Sequence, residues 1–271
     1  MTDQTTRARH FFELHHGDTP LLLPNPWDAG SAKLFASLGF HALATTSSGH
    51  AATLGRLDGG VTREEAFAHA ASIVAATELP VSADLENGFA HEPADVAETA
   101  RLAAEVGLAG FSIEDYTGDD DNPIYDPPTA AARVTAAAAA AHEGPVRLVI
   151  TARAENYLHH RPDLGDTISR LQAFQEAGAD VLYAPGVTDA GDIRRLVEAV
   201  DLPVNVLALP GAPTVAELAE LGVKRISVGG GFNLVGIGAV AEAAREFLEQ
   251  GTYGYWAAAS RGAADRNAAF G

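Results

Sequence analysis

Eight short apolar segments, each followed by a longer segment rich in Ala and Leu, recur along the 271 residues. The apolar segments are Leu21 to Asn25, Ala42 to Ser47, Pro80 to Glu86, Gly110 to Tyr116, Arg147 to Glu155, Asp180 to Pro185, Pro203 to Leu209 and Arg225 to Gly230. They are short enough to be strands, and helix signals fall between them. Thr62 and Glu65 have the spacing of a capping box, Pro93 suits a first helical turn, and Gly39, Gly107, Gly178 and Gly222 suit helix ends. Strict strand–helix alternation asks for a parallel sheet with helical crossovers. Eight such units in about 250 residues fit a closed (β/α)8 TIM barrel better than an open doubly wound sheet. The expected domain is the whole of residues 1–271, with an N-terminal helical extension. A C-terminal tail from Tyr253 would dock its aromatic residues on a neighbouring subunit or on its own barrel.

Charge and cysteine content narrow the function classes. With 36 acidic and 18 basic side chains the formal net charge is −18, which opposes nucleic-acid binding. No cysteine is present, so disulfides, thiolate metal sites and a catalytic thiol are excluded. Met1 to His16 carries charge throughout and lacks the apolar centre of a signal peptide. No apolar run is long enough to cross a bilayer. A cytoplasmic protein with no membrane partner is the expectation.

Barrels do chemistry where strands end. Strand three closes with Asp84-Leu85-Glu86, and alternation along a strand puts both carboxylates on one side. Like charges so placed repel unless a cation lies between them. Strand four adds Glu114. Hard oxygen donors without His or Cys suit Mg²⁺, or Mn²⁺, rather than Zn²⁺. Strand five ends Thr151-Ala152-Arg153-Ala154-Glu155, with Arg153 on the inner face. Arg153 either pairs with Glu155 or Glu114 as a structural element or clamps a substrate carboxylate with its planar fork, and spacing leaves both readings open. Thr46-Ser47-Ser48-Gly49 offers small hydroxyls and a close backbone approach. Asp58 reads first as a turn residue, Gly229-Gly230-Gly231 as a tight turn ahead of a phosphate cradle, and His159-His160 as a solvated pair.

At Pro24-Asn25-Pro26-Trp27-Asp28-Ala29, Thr46-Ser47-Ser48-Gly49, Asp84-Leu85-Glu86-Asn87-Gly88, Ser112-Ile113-Glu114-Asp115 and Thr151-Ala152-Arg153 the chain resembles the phosphoenolpyruvate mutase/isocitrate lyase superfamily. The resemblance implies a barrel whose last helix is exchanged between subunits of a homodimer or homotetramer. It implies Mg²⁺ near Asp84, Glu86, Glu114 and Asp58. It also implies a 2-oxo acid whose carboxylate is held by Arg153 and by the Ser48 and Gly49 backbone, with Thr46 and Ser47 alongside, and an enolate formed in the reaction. Lyases of that family carry a Lys-Arg-Cys-Gly-His motif after strand four. Here that loop runs from Thr117 to Asp126 without Cys, Lys or His. Mutases use a Lys and an Asn there and a His after strand six; Asn122 is present, but the Lys and the His are not. The expectation is therefore carbon–carbon cleavage of a small 2-oxo or 2-hydroxy dicarboxylate, by decarboxylation, retro-aldol or hydrolytic cleavage. Tyr116, Tyr183, His50 or water would supply a proton, and Asn205 would contact the distal part of the substrate. The alternatives are a phosphonopyruvate mutase or hydrolase, and a degenerate barrel with a binding role.

Overall fold

The computed structural model describes residues 3–271; Met1 and Thr2, at the start of the stretch read for a signal peptide, lie outside them. Helix α1 (Gln4–Leu14), capped by the Asp3 carboxylate, precedes β1 (Leu21–Leu23) and α2 (Ala29–Ser37). Then come β2 (Leu43–Ala44), α3 (Ser47–Thr53), α4 (Arg63–Ala76), β3 (Val81–Asp84), α5 (Pro93–Glu105), β4 (Gly110–Glu114) and α6 (Pro127–Glu143). The second half holds β5 (Val149–Arg153), α7 (Leu164–Glu176), β6 (Val181–Tyr183), α8 (Ala190–Glu198), β7 (Val204–Leu207), α9 (Val215–Glu220), β8 (Arg225–Ser227), α10 (Gly231–Arg245) and α11 (Trp256–Phe270).

All eight strands are parallel, in the order β1-β8-β7-β6-β5-β4-β3-β2. Between β1 and β2 the seam is closed by other means. Ala44 N–H donates to the Pro24 carbonyl, and the Asn25 side chain donates to the Thr45 carbonyl while accepting from Val228 and Gly229 N–H. The result is the expected (β/α)8 barrel. The main apolar core lies between the sheet and its helices, where Phe111, Ile113, Ile150 and Phe174 are sealed from solvent. A second cluster plugs the barrel bottom, with Phe11 of α1 against Leu21, Leu23, Val149 and Val181. Gly110 is required there: an added Cβ would sit 2.5 Å from the Val149 carbonyl and 3.0 Å from Phe11. Higher up, inward positions on one side are small, Ala44, Ser82 and Ser112, so the upper barrel interior stays open.

Several strands are shorter than the sequence reading, β4 ending at Glu114 and β5 at Arg153, and two differences bear on the cavity. Ser47–Thr53 is a helical turn capped by Thr46, where small hydroxyls and Gly suggest only a turn. Strand β3 ends at Asp84; Glu86 has φ +48, in the left-handed region, and Gly88 N–H closes a turn onto the Leu85 carbonyl. The Thr62–Glu65 capping box forms as read. The tail folds as α11 and packs on α2 of its own chain. No helix among the described residues is long and apolar enough to cross a membrane.

Candidate active site

A cavity of about 180 Å³, smaller than a pocket for a drug-sized ligand, opens at the C-terminal ends of the strands, where barrels place their active sites. Its wall includes Thr46, Ser47, Ser48, Asp58, Asp84 and Arg153, together with Tyr183, Ser227 and Arg225. The registers Ser112 with Thr151 and Glu114 with Arg153 put the acid of β4 beside the guanidinium of β5.

Arg153 is the hub. Its Nε donates to Glu155 Oε1 at 2.8 Å and its Nη1 to Asp84 Oδ1 at 2.9 Å, while Nη2 lies 3.2 Å from Glu114 Oε2. Its guanidinium carbon is 5.2 Å from the centre of the Tyr183 ring. Burial works against its charge, but Glu155, Glu114 and Asp84 more than offset this and hold it ionised. A guanidinium has five N–H groups, and these contacts take at most three of them. The remainder can form a two-bonded contact with a carboxylate.

The acids outnumber the base. Burial, with the neighbouring charges of Asp84 and Asp58, pushes the Glu86 carboxyl up to about 8. Burial also pushes Glu114 well up, against the pull of Arg153 and with the help of Glu155, Asp84 and Glu86. Asp58 is raised by the protein packed around its inner edge and by Asp84, although its outer edge meets solvent. Asp84 is fixed as an acceptor: Ser47 N–H donates to Oδ2 at 3.2 Å, and its own N–H donates to Thr45 Oγ1. Among the described residues no three acids or histidines are gathered around one point as a metal cage. Arg153 lies between Asp84 and Glu114 instead. The donor chemistry nonetheless suits a hard divalent cation: every ligand atom is a carboxylate oxygen, and three of the four acids have carboxyls shifted upward, a shift that a cation would oppose.

The remaining expected residues are placed as follows. Gly49 is buried behind Thr46 and Trp27; an added Cβ would come within 2.6 Å of Thr46 Cγ2 and 3.1 Å of Trp27 Cβ. Asn205 is buried in the barrel, donating to Ser227 Oγ and accepting from Arg225 Nε. Tyr183 borders the cavity, and burial raises its hydroxyl to about 12. Tyr116 does not border it: its hydroxyl donates to Asp120 and its ring stacks on His159 at 4.0 Å. Asn122 is exposed in the loop after β4. His50 stacks on His69 at 3.9 Å, outside the cavity wall.

Two groups were not singled out from sequence. Asp115 faces away from Glu114, accepts from Glu155 N–H and Arg170 Nη1, and braces the end of β5 from behind. Arg225 shares the inward phase of Ser227, and that charged residue opening an apolar strand is the signal that could have found it.

The chain matches the phosphoenolpyruvate phosphomutase family over residues 11–248. An uncharacterized protein of Mycobacterium tuberculosis (strain ATCC 25618 / H37Rv) is 35% identical over 236 residues, 87% of each chain. Among solved structures, a candidate lyase/mutase from Burkholderia cenocepacia J2315 is 51% identical, with TM-score 0.91 over 93% of this chain and 91% of that one. A 2,3-dimethylmalate lyase, itself a superfamily member, is 28% identical, with TM-score 0.82 over 94% of this chain and 90% of that one. With the match spanning most of the barrel, the chain belongs to the phosphoenolpyruvate mutase/isocitrate lyase superfamily.

Proposed function

We propose that the chain is a Mg²⁺-dependent lyase that cleaves a carbon–carbon bond of a small 2-oxo or 2-hydroxy dicarboxylate. The observation that carries this reading is Arg153, which borders a small cavity with N–H groups to spare while three carboxylates hold its charge and direction. The relative of known activity named above is a lyase of a substituted malate, a 2-hydroxy dicarboxylate. The loop from Thr117 to Asp126 has no Cys, Lys or His and carries Asp119, Asp120 and Asp121, whose charge opposes a phosphonate.

Asp84 and Asp58, which border the cavity, would hold the cation directly, with Glu86 and Glu114 acting through water. Mg²⁺ there supplies positive charge that stabilises an enolate. The chain's own residues do the rest. Arg153 orients the substrate carboxylate, and Ser47 and Ser48 line the wall beside it. In a 2-hydroxy substrate the hydroxyl gives up its proton to solvent in the cavity as its carbon becomes a carbonyl, and in a 2-oxo substrate CO₂ leaves; in either case the electron pair of the broken carbon–carbon bond passes into the enolate of the other fragment. Tyr183, still protonated at neutral pH, delivers a proton to that carbon and regains one from solvent.

The test is turnover of purified protein with Mg²⁺ on 2-oxo and 2-hydroxy diacids of four to six carbons, with phosphonopyruvate in parallel. Release of CO₂ or of a new oxo acid from a diacid is the expected result. Phosphate release from phosphonopyruvate alone would replace it with phosphorus–carbon chemistry, and binding without turnover would leave a binding protein.

A further inference from the structure

Arg225 is a buried cation that no acid neutralises. It is 4% exposed at the start of β8 and forms no ion pair among the described residues. Its Nε donates to Asn205 Oδ1 at 2.9 Å and its Nη1 to Thr151 Oγ1 at 2.9 Å, both neutral acceptors. Nη1 also lies 3.4 Å from His15 Nε2. His15 Nδ1 donates to the Phe11 carbonyl, so Nε2 is the accepting nitrogen. Burial, with the charge of Arg225, lowers the His15 imidazole to about 3, so it is neutral as well.

The other buried arginines are satisfied away from the cavity, Arg170 by acids and Arg133, which like Arg225 makes no ion pair among the described residues, by carbonyls and a ring face. Arg170 pairs with Asp115 and Asp166. Arg133 donates to the Ala90, His91 and Asn87 carbonyls and lies over the Tyr125 ring. Neither borders the cavity; Arg225 does. Its Nη2 donates to no described residue, yet among the described residues the one sealed side-chain polar atom without a partner is His50 Nε2. Nη2 is therefore reachable, and the cavity is the opening that Arg225 lines. The small residues Ala44, Ser82 and Ser112 keep the shaft above it clear. An uncompensated buried charge is costly and is offset by a partner when one can reach it. At the mouth, the carboxylate of Asp84 is already matched by Arg153, which leaves the floor as the unmatched positive end.

We propose that Arg225 forms an anion subsite at the cavity floor that receives the second carboxylate of the substrate, while Arg153 holds the first. That the anion is a substrate carboxylate rests on the lyase reading; that the subsite exists does not. Arg225 then selects diacids over monoacids of equal length, and Asn205 and Thr151 keep its fork aimed upward.

Crystals of the full chain soaked in bromide, and calorimetric binding of succinate against butyrate, test this directly. Bromide beside Arg225 is expected, with succinate bound at least tenfold more tightly than butyrate. Arg225→Gln should erase both the bromide and the preference, and Arg225→Lys should restore part of each. No bromide beside Arg225 in the wild type overturns the subsite. Bromide without a diacid preference marks an adventitious ion only and overturns the proposal equally. Both wild-type measurements stand even if Arg225→Gln does not fold. Bromide and diacid preference at Arg225 with no turnover of any diacid would instead sink the lyase reading and leave the subsite in place.

Discussion

Arg153 contacts Asp84, Glu114 and Glu155 together, so replacing it acts on stability and binding at once. Arg153→Ala strands buried acids and should cost about 3 kcal/mol or more in urea unfolding. It should also weaken oxalate by about 1.5–3 kcal/mol, the worth of a charge-assisted contact. Arg153→Lys keeps the charge but not the fork, so stability should partly recover while oxalate affinity does not. Equal oxalate affinity in wild type and both variants would reduce Arg153 to a structural ion pair. Glu86 gives a pH signature. Its folded value, about 8, exceeds the ordinary 4.5, so the folded state holds this proton more tightly. That contribution is full below about 4.5 and is lost as pH rises through 8. His15 and His69, lowered to about 3 and 4, act in the opposite sense and remove stability as pH falls below 6.5. The difference between wild type and Glu86→Gln isolates the carboxyl. Without metal, wild type should lose Tm relative to the variant between pH 5 and 8, and saturating Mg²⁺ should shrink that loss. Parallel Tm curves would remove Glu86 from the buried acid group. The convergence of charge at this scale was largely legible: Asp84, Glu114 and Arg153 stand out because charge at the end of an apolar strand has few explanations, and the structure brings the three together. Partners were not legible, since the spacing of Arg153 and Glu155 cannot show that Asp84, 69 residues away, shares the same guanidinium.

Elements carry a different lesson, because a strand end and a turn look alike in sequence. The alternation argument for Asp84 and Glu86 assumes a strand through both, yet β3 stops at Asp84 and Glu86 is turned by its left-handed backbone. Glu86 nonetheless stays close enough for the charges of Asp84 and Asp58 to act on it. Helix α3 was hidden for a related reason. Ser and Gly are poor helix formers, and only the Thr46 cap and the packing of Gly49 under Trp27 make Ser47–Thr53 helical. The eight strands and most helices were legible because their periodicities and caps repeat, as at Thr62–Glu65. Gly49→Ala sets two magnitudes against each other. Replacing a helical Gly by Ala gains up to about 1 kcal/mol. A Cβ placed 2.6 Å from Thr46 Cγ2 overpacks the site, which costs about 1–3 kcal/mol. Overpacking should win, lowering Tm slightly and displacing Ser47 and Ser48 from the cavity wall. Oxalate affinity should fall more than stability does. A stabilised variant with unchanged affinity would show that the first turn of α3 does not set the wall.

At the scale of the molecule, α10 is the barrel helix whose apolar face its own barrel leaves uncovered. Asn233 is its only buried residue, and Leu234, Val235 and Val240 are 65%, 69% and 71% exposed. Ile237 lies between them, and Phe247 and Leu248 extend the apolar surface through the following π-helical turn, Glu246–Gln250. The remaining helices of the barrel bury apolar faces against the sheet, so this stretch departs from the pattern of the chain. Contiguous apolar surface of this kind marks an interaction site. A net charge of −18 keeps the protein dispersed unless a specific apolar contact overcomes it. The same face on a second copy is apolar by construction, and two-fold association would cover both at once. The expected state is therefore a homo-oligomer built through α10. Sedimentation should give a dimer or tetramer for wild type and a monomer for the double variant Val235→Asp, Val240→Asp. Both positions are exposed in the single chain, so the variant's far-ultraviolet circular dichroism should be unchanged. Higher salt should strengthen the wild-type assembly by screening like charges. A wild-type monomer, or an oligomer indifferent to both substitutions, would mean that α10 meets something other than its own kind.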